Sequence, residues 1–262
     1  SGTLAQKEEA ARSALETALQ RGGDQAVYKT RDNVEYYGGR TKTLQKRTKV
    51  RSRVIATELV ALIAKSENVL IMGHAHADHD ALGSCVGLAA LCRYCGVDAK
   101  IAMENDNENI SACLDCIEQD EAFSNVFVEC EEILDFVRPN TLLLISDVCN
   151  PRTFSVPELY ENVRRCVIID HHRLASELPY PPLISYIEPA ASSASELVAE
   201  ILEQVMPTGE ISKECADLML AGMLLDTDQF TRNTGVRTFS AALYLRGEGA
   251  DPADAKRLFR SS

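Results

Sequence analysis

At 262 residues the chain is long enough to bury a core of its own, with room for one large domain and a small appendage. A hydrophobic share of 45% and a charged share of 25% match ordinary soluble globular proteins, which excludes disordered and fibrous classes. The formal net charge of -12 argues against broad duplex DNA binding, which draws on many Lys and Arg contacts to phosphate. An acidic chain that handles phosphate groups does so with metal ions. No apolar run approaches the roughly 20 residues needed to cross a bilayer, and Ser1 to Ala18 is not a signal peptide, so a soluble, cytosolic piece is expected.

In chain order, Thr3 to Gln20 is predicted as an Ala- and Glu-rich helix stopped by Gly22-Gly23, and Asp24 to Thr30 as a short strand. The polar, basic stretch from Tyr36 to Arg51 is predicted as a linker, with a boundary near residue 45 that divides the chain into residues 1–45 and 46–262. Helix and strand signals then alternate: a helix over Arg53 to Ala64, the apolar run Val69 to Met72, a helix over Asp80 to Cys95, and a strand over Val97 to Ala102. An acidic helical segment, Glu131 to Val137, precedes the apolar run Leu142 to Ile145, and Val167 to Ile169 forms a third run. Helices over Ser193 to Gln204, Ile211 to Leu225, Val236 to Leu245 and Ala253 to Phe259 complete the chain. Short, continuously apolar strands separated by helices imply an α/β fold: a doubly wound, mostly parallel sheet with helices on both faces.

Nine cysteines are scattered through the chain, several in apolar stretches (Cys85, Cys149, Cys166, Cys215), as expected of buried thiols in a reducing compartment. The pairs Cys92-x-x-Cys95 and Cys113-x-x-Cys116 have a spacing that fits a four-cysteine zinc site. Leu88, Leu91, Cys92 and Cys95 also form an apolar stripe at helical spacing, which favours two pairs at i, i+3 on separate helices.

In a doubly wound sheet ligands bind beyond the carboxyl ends of the strands. After the first apolar run comes Gly73-His74-Ala75-His76-Ala77-Asp78-His79-Asp80, after the second Asp147, and after the third Asp170-His171-His172-Arg173. All five histidines fall in the first and third of these segments. Imidazole nitrogens and carboxylate oxygens together suit Mn²⁺, Fe²⁺ or Co²⁺. His74, Asp78 and Asp80 lie on a turn entering a helix, where i, i+4 and i+6 can face one side, and Asp147 from a neighbouring strand can bridge two ions. Such a pair, about 3.5 to 4 Å apart, suits in-line phosphoester hydrolysis. Asp226 ends an apolar helix and is a fourth carboxylate candidate, ahead of Asp228. Ser192 and Ser193 open a helix, where they can serve either as simple N-caps or beside backbone N–H groups that take a phosphate.

The set His74-x-x-x-Asp78-x-Asp80, Asp147, Asp170-His171-His172 and Asp226 resembles the DHH phosphoesterase superfamily, from about residue 50 onward. Tyr37-Gly38-Gly39-Arg40-Thr41, Lys46 to Arg53, Glu188 to Ser193 and Arg232 to Phe239 resemble its GdpP-type branch of cyclic-di-AMP phosphodiesterases, whose degenerate GGDEF domain would end within the first 45 residues. The resemblance implies that His74 and Asp78 bind one Mn²⁺, that Asp80, His171 and Asp226 bind another, and that Asp147 binds both. Asp170 would orient a histidine, and a hydroxide bridging the ions would convert cyclic-di-AMP to linear pApA. His172 would meet the scissile phosphate, with Arg173, Ser192, Ser193 and Arg237 as further substrate contacts. A homodimer is implied, as is a longer parent tethered to the inner face of the membrane, of which this chain would be a trimmed piece.

Two departures stand out. His76-Ala77 replaces the family's usual Asn-Pro, with His79 between the aspartates, and no Gly-Gly-x-His segment of the associated substrate domain is found. The rival expectations are a DHH oligoribonuclease acting on pApA, a pyrophosphatase, or an inactive nucleotide-binding module.

Overall fold

The computed structural model describes residues 11, 25–29, 34–38, 41–104, 107–173 and 178–259. Apart from Ala11, the helix expected over Thr3 to Gln20 lies outside them. Contacts divide the chain into two units, Ser1–Arg51 and Ser52–Ser262. The first holds an antiparallel pair, β1 (Gln25–Lys29) and β2 (Val34–Gly38), in register at Val27 and Tyr36. Helix α1 (Thr41–Ala64) begins in this unit and ends in the next, so the segment from Thr41 to Arg51, expected as linker, is helical. Its sequence is rich in Lys, Arg and Gln, which are good helix formers, but lacks the apolar stripe by which an amphipathic helix is recognised.

The second unit is built on a six-stranded sheet, order β5-β4-β3-β6-β7-β8, every neighbouring pair parallel. The strands are β3 (Val69–Met72), β4 (Ala99–Met103), β5 (Phe127–Glu129), β6 (Leu142–Ser146), β7 (Cys166–Asp170) and β8 (Ile184–Ile187). From β3 the chain winds outward through β4 to β5, then returns to β6 and winds the other way. Adjacent β3 and β6 therefore flank the point where the winding reverses, and a crevice opens beyond their carboxyl ends.

Alternate strand residues feed two cores. Val69, Ile71, Leu142, Leu144, Val167 and Ile169 join one cluster with Leu82, Leu88, Leu197 and Leu218 from α2 (His79–Tyr94), α5 (Ala194–Val205) and α6 (Lys213–Asp226). Leu70, Met72, Leu143, Ile145 and Ile168 turn the other way, against Leu159 and Tyr160 of α4 (Pro157–Asn162). Burial of both faces explains why these strands are continuously apolar. Helix α3 (Ser111–Glu118) lies between β4 and β5, and α7 (Val236–Gly247) and α8 (Pro252–Arg257) follow α6. The expected helix over Glu131 to Val137 is only a 3₁₀ turn, Ile133–Phe136, because Pro139 disfavours helical conformation in the residue before it. Strands β5 and β8 are short edges with partly exposed positions, which leaves a weak apolar signal.

Helices α2 and α6 approach at backbone distance. A Cβ on Gly83 would stand 2.6 Å from the Leu218 carbonyl oxygen, and one on Gly87 2.8 Å from Met219 Sδ. Gly83→Ala is expected to force the helices apart and cost about 1–3 kcal/mol, read as a lower urea midpoint at unchanged m-value.

All nine cysteines are free, with Cys92 and Cys113 buried on α2 and α3. No metal-capable group among the described residues contains a cysteine, in keeping with the helical-stripe interpretation. Among the described residues no helix is long and apolar enough to cross a membrane.

Candidate metal centre

The turn after β3 is held against the loop after β6. The Ala75 N–H donates to the Thr153 carbonyl at 2.9 Å, and that of Ser155 to the Gly73 carbonyl at 3.1 Å. The His74 Nδ1 lies 2.8 Å from the Ala75 carbonyl, an oxygen that can only accept, so Nδ1 carries the proton. This turns Nε2 toward Asp78 Oδ1 (3.8 Å) and Asp147 Oδ2 (3.5 Å). Asp78 is the N-cap of α2, its Oδ1 accepting from the backbone of Asp80 and Ala81. The cap fixes where the helix starts, and that start places Asp80 in the first turn, fully buried.

Asp147 follows β6 in the left-handed region, φ 61°, where a non-glycine residue persists only if its surroundings hold it. Its N–H donates to the Ile169 carbonyl at 3.0 Å, locking it to β7. Its second oxygen, Oδ1, stands 3.3 Å from His171 Nε2. That nitrogen is also 3.1 Å from Asp226 Oδ2, at the last residue of α6, and 3.8 Å from Asp80 Oδ2. Three overlapping sets of potential ligands result: His74, Asp78 and Asp147; Asp80, His171 and Asp226; and Asp147, Asp170, His171 and His172, with ligand atoms inside each set within 4.8 Å of one another. Asp147 turns Oδ2 toward His74 of the first set and Oδ1 toward His171, which the other two share.

Asp170 Oδ1 accepts from both the backbone N–H (3.0 Å) and Nδ1 (2.8 Å) of His172, so it orients that ring and fixes its tautomer. A cavity of about 480 Å³ opens here, lined in part by His74, Asp78, Asp147, Cys149, His172 and Arg173. Cys149, expected from the sequence only as a buried thiol, also lines the cavity, and its place two residues after Asp147 was a signal. Burial and the nearby Asp170 push its thiol up to about 12, so it stays protonated.

Asp147 Oδ1, Asp170 Oδ2 and His171 Nε2 are buried without a hydrogen-bond partner. Orphaned buried polar atoms are costly, and at Asp147 and His171 they converge on one spot, an arrangement that cations would satisfy. The donor set, nitrogen and oxygen without sulfur, fits Mn²⁺, Fe²⁺ or Co²⁺. The electrostatics agree. Hydrogen bonds to Asp147 and Asp78 raise His74 to about 11. Burial lowers His171, but Asp147 and Asp226 outweigh it and carry that ring also to about 11. Burial and the charges of Asp147 and Asp226 push Asp80 well above the ordinary carboxylate range. The cluster demands positive charge, and without metal its histidine protons supply it.

Other expected site residues are engaged elsewhere. His76 is exposed, 3.5 Å from Glu104. His79 points away from the centre, its Nε2 3.1 Å from the Leu258 carbonyl and its ring 4.5 Å from that of Phe259. Ser193 is the N-cap of α5, and Ser192 Oγ donates to Glu196 at 2.6 Å. The first N–H groups of α5, offered above to a phosphate, are taken instead by Asp80: Ala194 donates to Oδ2 at 2.6 Å and Ser195 to Oδ1 at 2.8 Å. Arg237 likewise grips Glu200 bidentately, both contacts 2.7 Å, instead of facing the cavity. Its guanidinium is 15% exposed, so Arg237→Ala leaves buried carboxylates unpaired and is expected to cost about 3–5 kcal/mol in urea unfolding.

A histidine–aspartate cluster able to hold cations, at the switch point of a doubly wound sheet, defines the class of site. The model of the DHH family, N-terminal domain, matches residues 68–223, and the chain belongs to that family. Over 265 residues the chain is 38% identical to the cyclic-di-AMP phosphodiesterase GdpP of Geobacillus thermodenitrificans (strain NG80-2), covering 100% of this chain and 39% of the relative. It thus spans about two fifths of that relative's length. It is 30% identical over 162 residues to a probable manganese-dependent inorganic pyrophosphatase of Streptococcus thermophilus (strain ATCC BAA-491 / LMD-9), covering 61% of this chain and 48% of that one. Among solved structures, an exopolyphosphatase-related protein from Bacteroides Fragilis shares the fold, with a TM-score of 0.62 and 22% identity over 79% of this chain and 60% of that one.

Proposed function

We propose that this chain is the hydrolytic portion of a cyclic-dinucleotide phosphodiesterase, converting cyclic-di-AMP to linear pApA with two Mn²⁺ ions. The observation that carries the reading is Asp147, which turns one oxygen toward His74 and the other toward His171. The 38% identity to a cyclic-di-AMP phosphodiesterase along the whole chain supports the substrate, and the likeness to a manganese-dependent pyrophosphatase supports the metal. In this reading His74 and Asp78 would hold one ion, Asp80, His171 and Asp226 the other, and Asp147 would contribute to both. When bound, the ions supply Lewis-acid charge and a water of lowered pKa for in-line attack at phosphorus.

The protein's own groups do the rest. Asp170 holds His172 by Nδ1 and raises its pKa, which favours the charged ring, whose other nitrogen would donate to a phosphate oxygen. Arg173, on the cavity wall, adds a second cation for the phosphate. Addition of water across one P–O bond opens the dinucleotide ring. Residues 1–45 are assigned to the end of a degenerate GGDEF domain and a linker, and residues 46–262 to the DHH domain. The working form is taken as a homodimer whose longer parent is tethered at the membrane.

The test is hydrolysis of cyclic-di-AMP, cyclic-di-GMP, pApA and pyrophosphate, with Mn²⁺ or EDTA, by this chain and by one extended to its relative's length. Metal-dependent formation of pApA supports the assignment. Turnover of pApA or pyrophosphate alone moves the chain to another DHH activity, and binding without turnover in both forms marks a nucleotide-binding module.

A further inference from the structure

Asp80 sits in an unusual seat for a ligand. Both of its oxygens are held by backbone N–H groups of the first turn of α5, from Ala194 and Ser195, at the positive end of that helix. Its other side lies against Gly222 of α6. A Cβ there would stand 2.7 Å from Asp80 Cα, 2.8 Å from Asp80 Oδ1 and 2.6 Å from Ser195 Oγ. The Asp80 Cα is backbone and cannot swing aside, and the other two atoms are the Asp80 carboxylate oxygen itself and the Ser195 hydroxyl beside it, so an added methyl must displace Asp80 or part it from the first turn of α5. The first turn of α5 is itself braced: Ser193 caps it, Glu196 accepts from the backbone and hydroxyl of Ser192, and Arg237 lies beside Glu196 while gripping Glu200. Glu196 is fully buried and unused by the chemistry above, which leaves bracing as its part.

We propose that Gly222 and the first turn of α5 are positioning elements for Asp80, setting how tightly the Asp80, His171 and Asp226 set binds its ion while leaving the His74, Asp78 and Asp147 set untouched. The inference rests on the two-ion reading. Three carboxylates, Asp80, Asp147 and Asp226, converge at this set, and the α5 N–H groups offset the repulsion that would otherwise turn Asp80 aside. Prefixing the ligand also removes the reorganisation that binding would require.

The experiment is Mn²⁺ titration of the 262-residue chain, followed by the electron paramagnetic resonance signal of the free ion. The variants are Gly222→Ala, Ala194→Pro and Gly87→Ala. Ala194→Pro deletes one N–H to Asp80 at the first helical position, where proline suits the backbone and the preceding Ser193 is extended. Gly87→Ala crowds α2 against the Met219 side chain of α6 and the Val198 side chain of α5, one turn beyond its first, without an Asp80 contact, so it reports packing damage among the same three helices. The expected result is two ions for the parent chain and for Gly87→Ala. For Gly222→Ala and Ala194→Pro, one ion should bind as before and the other about 10- to 100-fold more weakly, the usual effect of losing a group that orients a ligand. Folded Gly222→Ala and Ala194→Pro that bind both ions at parental affinity overturn the inference, as does equal weakening in Gly87→Ala. A parent chain that binds no pair of ions overturns the two-ion reading itself.

Discussion

Asp147→Ala is expected to abolish binding of both ions together and to lower hydrolysis of cyclic-di-AMP by at least about 10³-fold, since metal charge is worth several kcal/mol in the transition state. In the proposed two-ion arrangement the other ligands would serve one ion each, but Asp147 gives Oδ2 to the side of His74 and Oδ1 to the side of His171. Asp78→Ala or Asp226→Ala should therefore remove one ion, whereas Asp147→Ala removes two, and Mn²⁺ stoichiometry separates the cases. A variant that keeps one tightly bound ion would show that Asp147 does not bridge. Folding should survive, because truncation also relieves repulsion among clustered carboxylates; a thermal melt of the metal-free variant checks this.

Metal uptake should expel protons. In the metal-free chain His74 and His171 are both raised to about 11, so near neutral pH both rings are charged, whereas a metal ligand must be neutral imidazole. Filling both sets is expected to release two histidine protons, and affinity for the pair should climb about a hundredfold per pH unit. Calorimetry of Mn²⁺ binding in buffers of different ionisation enthalpy counts the protons, and a count near zero would contradict the assignment of these rings. The same shifts give the metal-free fold a pH dependence. Both values lie above the ordinary 6.5, so the stability that these protons contribute is full below about 6.5 and drains as pH rises toward about 11. Unfolding of the metal-free chain should therefore ease with rising pH in that window, and Mn²⁺ should flatten the trend.

The sheet was legible because burial on both faces left unbroken apolar runs at β3, β6 and β7, and most of the candidate ligands could be named because they follow those runs, with Asp226 instead at the end of an apolar helix. What escaped was whatever lacked an apolar period: the basic opening of α1, and the short edges β5 and β8. The centre was half visible for a related reason. A ligand announces itself by chemistry and place, as His74 and Asp147 do, but Gly222 has no side chain to announce. Its role depends on how closely α6 passes the first turn of α2, which no local pattern records. Ser192, Ser193 and Arg237 run in the opposite sense. Their chemistry suits phosphate, yet in the fold Ser192 and Arg237 bond the Glu196 and Glu200 carboxylates and Ser193 caps α5 by accepting from the Glu196 N–H, partners whose helical spacing gave no hint of which face they occupy.

His79 stands in sequence between two ligands and faces away from both, holding the Leu258 carbonyl and lying against the Phe259 ring just past α8. The turn that carries Asp78 and Asp80 and the end of α8 are thus one mechanical piece. Tension applied at α8 has a path only a few bonds long to both aspartates, and ions held by the two, one at each, would stiffen the helix in return. Filling the site would then be felt at Leu258 as slower amide exchange.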